Sequence, residues 1–60
     1  MIKITEDTSS EMIMIEYKGK CIFTGNYWDF SRDSEGFKEL FEGMEFKVEV
    51  VEKDYEEWYN

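Results

Sequence analysis

The sequence predicts an α+β fold: a small antiparallel β-sheet of three to four strands, one α-helix packed on it, and an aromatic segment at the C-terminus. Three observations carry this. Two runs rich in strand formers, EMIMIEY and KCIFT, flank Lys18-Gly19, the pattern of a β-hairpin whose turn needs positive φ. Phe37, Leu40, Phe41 and Met44 fall at i, i+3, i+4 and i+7, which is one face of a helix. Beyond Gly43 the period drops to two, with Met44, Phe46, Val48 and Val50 alternating with Glu45, Lys47 and Glu49, as a strand with one dry and one wet face requires.

The elements follow in order. MIKIT opens as a short strand with Ile2 and Ile4 on one side, and EDTSS after it reads as a polar loop. The hairpin spans Glu11 to Tyr17 and Lys20 to Thr24, with Gly19 supplying the turn. GNYWDFSRD breaks the pattern. The helix SEGFKELFE is entered through Ser31, Asp33 or Ser34 as N-cap and ends at Gly43, since short polar side chains accept from the first free N–H groups and glycine ends helices cheaply. From Val51 the spacing turns helical again: Val51, Tyr55, Trp58 and Tyr59 stand at i, i+4, i+7 and i+8. An isolated helix so short is marginal in water, so this closing segment is expected to fold only against protein. No repeat, linker or low-complexity stretch interrupts residues 1–60, which form a single small domain.

Sixty residues bury a small core, roughly 60% of the surface the unfolded chain exposes. With no His and one Cys, neither an internal disulfide nor a zinc site can reinforce it. A homodimer is therefore expected, burying the helix rings or the aromatic tail. MIKITED lacks the basic stretch and apolar run of a leader, and no apolar run approaches the roughly 20 residues of a membrane span. A complete, cytoplasmic protein is expected.

Charge is uneven. Residues 1–38 carry seven acids and five bases, whereas residues 39–60 carry eight acids and two bases, so most of the net charge of -8 sits in the last third. Nucleic acid and anionic membranes bind through clustered Lys and Arg and are excluded as direct ligands. Disordered acidic tails are poor in aromatics, and 18% of this chain is aromatic. An ordered acidic protein that binds basic surfaces is the class that remains.

Catalysis is not expected. Without His there is no Ser/His/Asp or Cys/His arrangement, and so short a chain has little room for a substrate cleft. Asp29, Ser31, Asp33 and Glu35 alternate like the opening of an EF-hand loop, but Ser34 replaces the glycine and Leu40 the closing glutamate, so no metal site is assigned. The glycines are scattered singly, and no cofactor is implied. Cys21, beside Ile22 and Phe23, reads as a small buried hydrophobe.

Two features point to binding. Projected around the helix, Glu35, Glu39 and Glu42 form a column opposite Phe37, Leu40 and Phe41, with Lys38 off to the side. Neighbouring carboxylates in such a row are roughly 5–6 Å apart at Cβ, a spacing that can imitate a row of phosphates, although any core-facing helix also has a solvated face. Tyr27, Trp28 and Phe30, with Asp29 among them, crowd one loop; rings of this kind either plug the end of a sheet or anchor an interface. Tyr55, Trp58 and Tyr59 form the third ring cluster.

In the order of its elements, hairpin, polar loop, Phe–x–x–Leu–Phe helix, Gly and final alternating strand, the stretch from Glu11 to Lys53 resembles the small acidic uracil-DNA glycosylase inhibitors of Bacillus phages. The resemblance implies a homodimer that occupies the DNA-binding surface of a host repair enzyme by imitating DNA charge, with Phe37, Leu40 and Phe41 lining a pocket for an apolar side chain of the enzyme. Lys38 stands where that family has an acid, and the aromatic C-terminal segment has no counterpart there. The expected function is a non-catalytic inhibitor of a host nucleic-acid-binding protein with a basic surface. The other reading is an accessory protein that forms a homo-oligomer through its aromatic face.

Overall fold

The computed structural model describes residues 1–7 and 9–54, and of Tyr27 and Phe30 the backbone alone. Among these residues the chain forms β1 (Ile2–Asp7), β2 (Met12–Tyr17), β3 (Lys20–Asn26), a 3-10 turn (Tyr27–Phe30), α1 (Ser34–Gly43) and β4 (Val48–Glu52). The fold is α+β, a four-stranded sheet of order β3-β2-β1-β4 with one helix. The face of Tyr55, Trp58 and Tyr59 lies outside the described residues.

The hairpin forms where the strand formers and Lys18-Gly19 place it. Lys18 (φ 52) and Gly19 (φ 77) both take positive φ, as the tight type I′ turn between twisted strands requires. Its ladder runs from Tyr17 opposite Lys20 to Met12 opposite Asn26, and slips once: Glu16 faces Cys21 but Ile15 faces Phe23, leaving Ile22 as an extra residue. This bulge corrects the assignment of Cys21 to the core. The thiol is exposed, because β3 is an edge strand and the bulge breaks its alternation there.

The sheet is mixed rather than wholly antiparallel. β2 pairs antiparallel with β1 and β3, while β4 runs parallel to β1, with Ile4 opposite Val50 and Thr5 opposite Val51. Two hairpin-linked partners fix β3 in the direction of β1. The chain then leaves β3 through α1 and returns at the far edge, and such a helical crossover delivers a strand in the same direction as the one it left. The N-terminal strand becomes central, and it is longer than the sequence pattern suggests: Glu6 and Asp7 belong to β1 rather than to a loop. Both acids are buried and hydrogen-bonded. Ser34 Oγ donates to Glu6 Oε2 at 2.9 Å, and Ser9 and Ser10 hydroxyls donate to the two oxygens of Asp7 at 2.7 Å each. The Glu6 bond ties the middle of the sheet to the first turn of the helix.

The core consists of Ile2, Ile4, Ile13, Ile15 and Phe37, with Tyr17, Phe23, Phe41, Phe46 and Val48 packed around it. Its rings form a continuous chain. Phe23 and Phe37 lie 6.2 Å apart between centroids, Phe37 and Phe41 6.2 Å, Phe41 and Phe46 6.5 Å, and Phe46 and Tyr17 5.8 Å, within the range where edge and tilted contacts are favourable. The strands β2 and β3, the helix and the segment before β4 are thereby joined through side chains.

Helix α1 begins at Asp33, whose carboxylate accepts from Gly36 N–H at 3.0 Å. Its other end falls at Gly43, where the sequence ends the helix, and the left-handed position that follows falls on Glu45 (φ 68). The N–H groups of Glu45 and Phe46 donate to the carbonyls of Glu42 and Phe41, both at 3.0 Å, the two bonds of a Schellman motif. The Phe46 ring meets Phe41 edge-on, the apolar contact that accompanies this motif. Consequently Met44 and Phe46 precede the strand instead of opening it. Met44 is 57% and Leu40 39% exposed, so the buried side of the helix is narrower than its apolar spacing predicts: Phe37 is enclosed, Phe41 partly so. At the chain's far end, Val51 continues β4 to Glu52 and does not start a helix.

A candidate protein-binding surface on α1 and the Trp28 turn

Because Ser34 and Phe37 turn inward, the opposite line of α1 must face solvent. Glu35, Glu39 and Glu42 are all exposed there, and Lys38 lies half-buried on the flank. With successive members three and four residues apart, the carboxylates stack up one side of the helix. Of the residues expected to bind, this column is therefore placed together and accessible. Phe37 is not: at 8% exposure and packed between Phe23 and Phe41, it supports the helix from beneath and is no lining for an open pocket. Leu40 is reachable at the surface and Phe41 partly so.

The turn before the helix holds the second feature. β3 runs into the 3-10 turn, where Asn26 Oδ1 accepts the N–H of Trp28 at 2.8 Å and Trp28 O accepts from Ser31 N–H at 3.3 Å. Ser31 takes φ 53, reversing the chain into the Asp33 cap. Trp28 is 65% exposed, yet its indole is held, because Nε1–H donates to Glu11 Oε2 at the start of the hairpin. A large, mostly exposed ring whose polar edge is hydrogen-bonded is held in a defined orientation. Asp29 beside it is exposed.

Trp28, Ser31, Arg32, Asp33 and Gly36 surround an open hollow of about 570 Å3. Sequence reasoning singled out Trp28 and Asp29 but passed over Arg32 and Gly36. Arg32 Nη1 approaches Gly36 O at 3.5 Å, and a side chain at Gly36 would meet the Arg32 stem at 3.5 Å, so the missing Cβ widens the floor. The signal in the sequence was a Gly at the third position of a helix, where propensity alone disfavours it. Gly36 precedes Glu39 by three residues, so hollow and acidic column adjoin along the same helix. Among the described residues no group of three His, Cys, Asp or Glu side chains comes together to hold a metal ion, and no helix is long and apolar enough to cross a membrane.

Comparison of the chain with protein-family models, curated proteins and solved structures finds no match.

Proposed function

We propose that this protein is a small binding protein that occupies the nucleic-acid site of a basic, DNA- or RNA-handling host protein by presenting acids in place of phosphates. The observation that carries this reading is the exposure of Glu35, Glu39 and Glu42 in one line, adjoining the exposed, hydrogen-bonded Trp28. Charge steers the encounter and the ring supplies affinity. Nothing in this arrangement asks for catalysis. The resemblance in layout nominates a uracil-DNA glycosylase as the first target to try, with the host cytoplasm as the proposed site of action.

The test is competition. Host-cell lysate is passed over the immobilised protein, and bound material is challenged with duplex DNA and with a salt gradient. A mimic releases its target to both, because target, DNA and mimic share one basic surface and exposed charges are screened by salt. A captured protein that DNA does not displace refutes mimicry.

A further inference from the structure

The two edges of the sheet are not equally protected. β3 carries the Ile22 bulge, a device that spoils an edge for pairing. β4 runs Val48–Glu52 in unbroken register beside β1, with no bulge and, in a chain without Pro, no proline. Ile2 N–H donates to Lys47 O at 2.8 Å and Lys53 N–H to Glu6 O at 3.0 Å. Backbone direction alternates along a strand, so Lys47, Glu49, Val51 and Lys53 turn their peptide groups toward β1, while Val48, Val50 and Glu52 turn theirs outward.

We infer that this outward edge pairs antiparallel with the β4 edge of a second copy, about a two-fold axis at Val51, joining two sheets into one of eight strands. Charge selects the register. A two-fold at Val51 sets Val51 against Val51 and Glu49 against Lys53 twice over, in the close, non-hydrogen-bonded pairs where side chains approach most. The outward groups of Val50 and Glu52 bond reciprocally, as do those of Val48 and Asp54. An axis at Glu49 would instead oppose Glu49 to itself, and an axis at Val50 would leave Glu49 against Val51. Val50 is 38% exposed on the helix side of the strand, which is apolar area a neighbouring strand covers. A two-fold perpendicular to the sheet keeps both helices on the same face, so the two acidic columns point the same way. This interface is independent of the target-binding reading and uses none of its residues.

Sedimentation of the full chain from micromolar to sub-millimolar concentration tests it with two variants, each checked by circular dichroism because Glu49 also lies opposite Lys3 of β1. E49Q removes one negative charge from the net -8, which by overall repulsion would favour association, yet it takes away the opposite charge that meets Lys53 and is expected to weaken the dimer severalfold. V50P removes an outward N–H without touching the β1 ladder, a position where an edge strand tolerates proline, and is expected to give a monomer with unchanged circular dichroism. A wild-type chain that stays monomeric throughout overturns the proposal. So does a dimer that E49Q and V50P leave intact, which would place the contact elsewhere on the molecule or on the aromatic C-terminal segment.

Discussion

On its inner side α1 sets Phe37 and Phe41 into a chain of rings that reaches from β3 to the start of β4, while on its outer side the same ten residues carry three exposed carboxylates in a row. The inner side is specified by shape. Each ring touches the next, and the Phe46 contact also fixes how the helix ends. The outer side adds little to the protomer: Glu35 suits the positive end of the helix, but like charges three and four residues apart weaken a helix by a few tenths of a kcal/mol. A surface that is mildly unfavourable at home is where a binding role is most economically sought. The two sides should therefore respond to substitution in opposite ways, one through stability and the other through affinity.

The largest effect is expected inside. Phe37→Ala removes the ring that joins Phe23 to Phe41 and should cost about 3–5 kcal/mol, as much as a domain of this size has to lose. Loss of a cooperative urea transition is the expected result, and a variant that still melts sharply would show that the ring chain is not what holds the helix down. A smaller loss is expected at the helix entrance. Asp33→Ala gives up the bond to Gly36 N–H and should lower stability by about 1 kcal/mol, read as a shift in urea midpoint with unchanged slope.

At the opposite end the sign reverses. Glu45 holds a left-handed conformation that glycine adopts freely, so Glu45→Gly should raise stability by about 1 kcal/mol. Smaller still is Gly36→Ala, expected to gain roughly 0.5–1 kcal/mol from helix propensity, since its new methyl meets only ordinary contacts at Arg32 and Asp33. That variant also sharpens the contrast between the two sides, because it narrows the Trp28 hollow: a gain in melting temperature together with weaker target capture would mark the hollow as part of the binding surface.

How much of this was legible differs by element. Lys18-Gly19 and the Asp33-capped helix follow from local rules, turn chemistry and capping, and the structure places both where those rules do. Features set by distant contacts were not legible. The parallel pairing of β4 depends on where the crossover returns the chain. The burial of Glu6 depends on Ser34, 28 residues away. Exposure of Cys21 depends on a bulge that period-two reading cannot see, and the left-handed position fell on Glu45 rather than Gly43 because the Phe41–Phe46 contact sets the helix end. Of the candidate site, the acidic column was readable because helical spacing alone generates it. The meeting of Trp28 with Arg32 and Gly36 was not, since it rests on the turn at Ser31 and the anchor at Glu11.

The central claim is that the outer face of α1 serves binding and not folding, and reversing its charge tests this most directly. In E35K/E39K/E42K all three substitutions lie on exposed positions opposite Phe37, so the circular dichroism spectrum should be unchanged and the urea midpoint should shift only slightly, Lys at position 35 disfavouring the positive end of the helix and Lys at position 42 favouring its negative end. Capture of the DNA-displaceable target should be lost, with the association rate at low salt falling first. A triple variant that folds and binds as the wild type does would contradict the account and leave the column an ordinary solvated face.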